Sequence, residues 1–160
     1  MPSPSSPADG SGPSGELDYL TYKLDLIKTL ATKAADPHYE RASGLRIREL
    51  RVLRLLHASP GIVATELRRK LVLDKTLLSK NLSDLEKRGL IQRTTDPNDS
   101  RVQRLSLSEE GTRAWLESER IGRQLEHEMF GELPPADWQR LHELLDSLTL
   151  SLYHWMERQK

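Results

Sequence analysis

The chain has 160 residues, 24 Lys/Arg against 24 Asp/Glu and no cysteine, a size that fits one domain or one core with helical extensions. The missing cysteine excludes a disulfide framework, a thiol redox switch and a thiolate zinc site. No apolar stretch approaches the roughly 20 residues that a membrane span needs.

The zero net charge hides a division. Residues 41–104 hold 15 Lys/Arg against 7 Asp/Glu, a local +8, whereas 1–40 hold 3 against 6 and 105–160 hold 6 against 11. Solvated helix faces account for such a surplus as readily as a polyanion site does. A basic centre between acidic ends nonetheless suits a chain whose middle meets a polyanion and whose flanks do not.

Residues 1–14 are rich in Pro, Ser and Gly and read as a disordered tail. They have neither a basic start nor an apolar run, so they lack the form of a signal peptide, and a cytoplasmic location is expected. Leu17, Leu20, Leu24, Ile27, Ala31 and Ala34 then recur at helical spacing, giving an amphipathic first helix within 15–42 that Asp36-Pro37 is expected to break. Ser43-Gly44 opens a second helix, with Ile47, Leu50, Leu53 and Leu56 inward and Arg46, Arg48, Arg51 and Arg54 outward. Ser59-Pro60-Gly61 ends it.

A short third helix contains Glu66, Leu67 and Leu71. A fourth starts at Asp74, whose carboxylate suits an N-cap, buries Leu78, Leu82 and Leu85, and stops at Gly89. Leu90-Ile91 and the alternating run Val102 to Leu107 read as short strands around an Asp96-Pro97-Asn98-Asp99 turn. Ser108 caps a fifth helix striped by Trp115, Ser118, Ile121, Leu125 and Met129. Pro134-Pro135 starts the last, where Trp138, Leu141, Leu145, Leu148, Leu152 and Trp155 repeat.

The expected order is α-α-α-α-β-β-α-α: mainly α with a small β-hairpin. The two terminal stripes either pair within one monomer or meet the same helices of a second copy. The homodimer is favoured, because the 65 residues from 43 to 107 can form a core of their own.

A short basic helix, a three-residue break and a second amphipathic helix suit a helix-turn-helix, in which the second helix meets base edges. Its outward N-terminal positions are Lys75, Thr76, Leu77, Ser79, Lys80 and Ser83, with Asn81 at the edge of that face. Lys80 suits guanine or phosphate, Asn81 adenine, Thr76 and Ser79 phosphate or base, and Leu77 a thymine methyl. Taken alone this spacing also describes the solvated side of any core helix.

The hairpin adds specificity. SPGIVATEL…LVLDKTLLSKNLSDLEKRGLIQR, followed by DSRVQRLSLSEEG, resembles the MarR family of winged helix-turn-helix transcriptional regulators over about residues 44–111. The wing match is an Asp-x-Arg followed by Leu-x-Leu, Ser, two residues and Gly. The resemblance implies a DNA-binding lobe at 43–107, dimerisation helices at 15–42 and 108–160, and a double-stranded operator as partner. It implies that Arg101 enters the minor groove, that Asp99 positions Arg101 by a charge-assisted contact, and that Ser100 and Gln103 touch the DNA backbone. Three residues depart from the family pattern: Val63 in place of a capping Ser or Thr, Val72 in place of a turn glycine, and Leu77 where smaller residues are usual. Val63 implies a ragged start to the third helix and Val72 a slightly different turn.

The same resemblance implies a small-molecule effector, commonly an aromatic carboxylate, held between the dimer region and the DNA-binding lobe. Such a ligand needs an apolar slot and a cation or donor. Tyr19, Tyr22, His38, Tyr39, Arg46, Arg51 and His57 are the candidates near the first-to-second helix junction, each equally readable as core edge or solvated surface. No metal or cofactor is expected: none of the five histidines is paired at i, i+4. No enzyme is expected either, since there is no glycine-rich phosphate loop, nucleophile elbow or paired-carboxylate constellation. The resulting expectation is a ligand-responsive homodimeric repressor. The alternative is a helical dimeric interaction module that does not bind DNA.

Overall fold

A computed structural model describes residues 19–160; the tail expected at 1–14, and Leu17 of the first apolar stripe, lie outside them. Six helices and one small sheet follow in the order α1 (Leu20–Ser43), α2 (Ile47–Ala58), β1 (Ile62–Val63), α3 (Ala64–Leu71), α4 (Lys75–Lys87), β2 (Ile91–Thr95), β3 (Gln103–Leu107), α5 (Glu109–Phe130) and α6 (Pro135–Arg158). The mainly helical architecture with a hairpin is as expected from the sequence. The sheet has one strand more. Ile62-Val63 pairs antiparallel with Leu105-Arg104, so the strand order is β1-β3-β2. Two residues are too short for alternation to show.

Two expectations at the first corner fail. Pro37 lies inside α1 and does not end it. A mid-helix proline forfeits one hydrogen bond and crowds the preceding turn, at a cost of about 3 kcal/mol. Here Ala35 and Tyr39, on either side of it, are buried and hold the helix on α5. Asp36 serves the next helix instead. Its Oδ1 accepts the Ile47 N–H at 2.8 Å, satisfying an orphan amide in the first turn of α2. Ser43-Gly44 closes α1 and does not open α2. Gly44 takes φ 64°, ψ 18° and returns its N–H to Glu40 O, the left-handed cap for which glycine has no Cβ penalty.

The core sits under the helix-turn-helix. Leu45, Leu53, Leu56, Leu67, Leu85 and Leu105 are wholly inaccessible, and each such side chain contributes about 1.5–3 kcal/mol of burial. Asp74 caps α4 as expected, accepting the Leu77 N–H at 2.8 Å. At the other end the N–H groups of Gly89 and Leu90 return to Glu86 O and Leu85 O, a Schellman closure. The N-cap of α3, Val63, makes no side-chain bond, in line with its departure from the family pattern.

Val72 keeps the turn that glycine would make. It sits at φ 52°, ψ 48°, the one non-glycine residue with positive φ among those described. The turn therefore keeps a glycine's shape under strain, which corrects the expectation of a different turn.

The hairpin returns the chain to α5 at a tight junction. Ser108 Oγ donates to Gly89 O at 2.6 Å and accepts the Gly111 N–H at 2.9 Å, while the Ser108 N–H donates to Leu90 O. A Cβ at position 111 would lie 1.8 Å from that same Leu90 oxygen. Gly111 is there because backbone occupies the space of a side chain.

Both positions can be probed by stability measurements. Val72 is 81% exposed, so Val72→Gly loses little burial. It relieves a left-handed strain of about 1–2 kcal/mol against a glycine entropy cost of about 0.5–1 kcal/mol. Chemical denaturation is expected to show a net gain of about 0.5–1 kcal/mol; a loss contradicts the strain. Gly111→Ala is expected to cost about 3 kcal/mol by overpacking against backbone, read as a lower thermal midpoint.

Candidate nucleic-acid interface

Lys75, Thr76, Ser79 and Lys80 lie exposed along the first turns of α4, and Leu77 is 39% exposed beside them. Asn81 does not join them. It is 5% exposed, because at 100° per residue it falls three after Leu78 and four before Leu85, on the inward stripe. Its expected place at the edge of the outward face is corrected on that ground.

On the wing, Asp99, Ser100, Arg101 and Gln103 are all exposed. Asp99 Oδ1 accepts the backbone N–H of Arg101 at 3.0 Å. The positioning therefore acts on the main chain, and the guanidinium stays free of Asp99. Gln103 Nε2 donates to Thr95 Oγ1 at 3.2 Å, a cross-strand bond between paired residues.

The wing's internal support was not foreseen from sequence. Asp96, at the hairpin turn, is 8% exposed. Its Oδ1 accepts the N–H groups of Asn98 and Asp99 at 2.8 and 3.2 Å, and its Oδ2 meets Arg104 Nε. Arg104 Nη1 in turn donates to Gly61 O at 3.1 Å, joining the wing to the loop before β1. The amide of Asn98, then the Arg104 guanidinium, hold the Asp96 carboxyl below the usual range, while partial burial opposes them. The signal was present as an Asx-turn aspartate; its pairing with Arg104, eight residues on, needed the hairpin register.

Charge pairing is uneven: Lys33, Arg48, Lys87 and Arg158 have no acidic partner among the described residues, whereas Lys70 on α3 pairs with Glu66. Arg113, Arg120, Arg123 and Arg140 each bond a carboxylate on their own helix, and Arg88 and Arg93 bond Glu49 and Glu86. Arg68, Arg69, Lys75, Lys80 and Arg101 have no acidic partner among the described residues. These cations lie on α3, on α4 and at the wing tip, the surfaces a duplex would meet.

The seven effector candidates disperse. Tyr19 and Tyr22 are exposed at the start of α1. His38 sits 3.5 Å from Arg41, Arg46 pairs with Glu40 at 3.1 Å, Arg51 reaches Leu71 O at 3.5 Å, and His57 lies against the Trp115 ring. His38 lines a cavity of about 490 Å³ with Arg41 and Leu125, and Tyr39 lines a separate one of about 290 Å³ between α1, α2 and α5. Burial is the largest influence on its hydroxyl and raises its pKa, so it is a neutral donor. Arg54, read from sequence as one of an exposed row, also lines this cavity and lies over the Trp115 ring at 5.5 Å.

The Asp96 contacts make an acid prediction. A carboxyl whose folded pKa is lowered stabilises the fold fully above its unfolded pKa, about 3.9, and loses that contribution as pH falls through the lower folded value. Unfolding free energy measured between about pH 5 and 2 is expected to fall less steeply in Asp96→Asn than in the parent chain. Equal slopes would contradict the role given to Asp96.

Residues 43–102 match the model of the MarR family. Over 73 residues the chain is 27% identical to the uncharacterized HTH-type transcriptional regulator YdgJ of Bacillus subtilis (strain 168); the match spans 46% of this chain and 44% of that protein. The fold is similar to the PcaV transcriptional regulator from Streptomyces coelicolor, solved with its natural ligand, at TM-score 0.72 and 19% identity over 85% of this chain and 96% of that one. It is equally similar to MepR of S. aureus in its DNA complex, at TM-score 0.73 and 20% identity over 83% and 98%. Residues 43–102 thus carry the match to the MarR family of transcriptional regulators, and they form a winged helix-turn-helix set among helices arranged as in those structures.

Proposed function

We propose that the chain is a homodimeric repressor that binds a pseudo-palindromic double-stranded operator and leaves it when a small aromatic acid binds. The observation that carries the DNA reading is the set of unpaired cations shared by α3, α4 and the wing. The α4 residues Lys75, Thr76, Leu77, Ser79 and Lys80 read the major groove, and Arg101 enters the adjacent minor groove, where a narrow electronegative channel favours guanidinium. Asp99, Ser100 and Gln103 hold the wing against the backbone. MepR, solved on DNA, supports this use of the fold.

The dimer rests on unpartnered apolar faces. Leu20, Leu24, Ile27 and Leu30 on α1, and Leu148, Leu152, Trp155 and Met156 on α6, are all 39–62% exposed, and α6 has no buried residue. Helices this apolar need a cover, and a second copy offers the same faces in return. Two lobes then present two α4 helices to half-sites about one helical turn apart.

For the effector, the cavity beside Tyr39 and Arg54 combines apolar walls with a neutral hydroxyl donor and the cations Lys28, Arg54 and Arg123, which outnumber the carboxylates Glu119 and Glu126 in its lining, a balance that suits a carboxylate. PcaV, solved with its natural ligand, supports a ligand site in such a fold.

The test uses an operator fragment selected from genomic DNA by the wild-type protein. Arg101→Ala is expected to weaken binding at least about tenfold, flatten the log affinity–log salt slope by about 1, and leave the sedimenting dimer intact. An Arg101→Ala protein that binds as tightly as wild type removes the wing from the interface. Failure to select any fragment favours the interaction-module alternative.

A further inference from the structure

A third cavity, of about 320 Å³, lies at the elbow where α5 gives way to α6. Its far wall is aromatic and apolar: Phe130 stacks on Trp138 at 5.8 Å between ring centres, with Leu133 and Pro135 beside them. Its near wall is shared. Arg123, Glu126 and Phe130 line both this elbow and the cavity that holds Tyr39 and Arg54. Those three residues stand at i, i+3 and i+7 on α5 and so form one helical face. The two cavities therefore flank the same strip of α5, with Glu119, Gly122 and Met129 on one side and His127 on the other.

The two cavities differ in which groups they offer, although Arg123 and Glu126 border both. Beside α1 and α2, Tyr39 supplies a hydroxyl, and Arg54 approaches its nearest carboxylate, Glu119, at only 4.0 Å, so its charge is loosely held. At the elbow the rings of Phe130 and Trp138 and the aliphatic Leu133 and Pro135 are joined by His127 and Glu126, with Arg123 drawn toward Glu119 at 3.1 Å. A ligand whose anion and ring are adjacent fills one cavity. A ligand whose anion and ring are separated by a flexible chain fills both.

We propose that the elbow between α5 and α6 is a second chamber of the effector site, and that the effector is an elongated aryl-chain carboxylate. The carboxylate meets Arg54 and Tyr39, the methylene chain crosses the Arg123–Phe130 face, and the ring rests against Trp138. Each chamber alone is at the small end for an organic ligand, about 300 Å³, whereas the pair is of ordinary size. The inference rests on the effector reading above and commits it to a shape.

Isothermal titration of the full chain with benzoate, 4-phenylbutyrate, 8-phenyloctanoate and ring-less octanoate tests it. The expected result is at least tenfold tighter binding of 8-phenyloctanoate than of either benzoate or octanoate. In Trp138→Ala, and in Leu133→Trp, which fills the elbow from an exposed position, that advantage is expected to shrink to within threefold. The second variant covers the case in which the first does not fold. Benzoate binding without a gain from length, or a gain that survives both variants, overturns the second chamber and leaves the effector reading standing. No binding by any of the four acids overturns both.

Discussion

The contact between Leu90 and the first turn of α5 fixes the rest of the DNA-binding lobe. One carbonyl oxygen accepts the Ser108 N–H and occupies the space that any side chain at Gly111 would need. The Ser108 hydroxyl closes the same corner by bridging Gly89 and Gly111. The end of α4, the start of β2, the end of β3 and the start of α5 therefore meet within a few ångströms. The register of the hairpin, Ile91 opposite Leu107 through to Thr95 opposite Gln103, is set from this corner outward, and with it the place of the wing tip.

This explains why the wing signature was informative as sequence. Ser108, Gly111 and the Leu105–Leu107 alternation are steric and capping requirements written in residue types. The Asp74 cap, the helical stripes and the hairpin turn were legible for similar reasons. What failed depended on contacts distant in sequence. Asp36-Pro37 has the local form of a helix end, but packing of Ala35 and Tyr39 on α5 outweighs the lost hydrogen bond. Ile62-Val63 becomes a strand only because Leu105 and Arg104 lie beside it. Asn81 is a different kind of miss, since its spacing from Leu78 and Leu85 already placed it inward.

The candidate interface was likewise half legible. Which side chains α4 exposes follows from helical periodicity. Which cations are neutralised does not, because Arg88–Glu49 and Arg104–Asp96 join residues that only the fold brings together. The local surplus of basic residues thus overstates the free charge at some places and conceals its concentration at others. Effector candidates chosen by proximity to one helix junction scattered for the same reason; a cavity among three helices is a property of their packing.

Arg88 carries a mechanical consequence. Its guanidinium bonds Glu49 at 3.0 Å and Gly44 O at 2.8 Å, tying the C-terminal end of α4 to the corner between α1 and α2. The N-terminal end, which bears Lys75 to Lys80, has no such tie. Helix α4 is thus bonded to the rest of the lobe by a side chain at its C-terminal end and held toward its N-terminal half by the burial of Leu78 and Leu82. The α1–α2 corner and the end of α4 thereby share one guanidinium, so the position of α4 is tied to that corner through a single side chain.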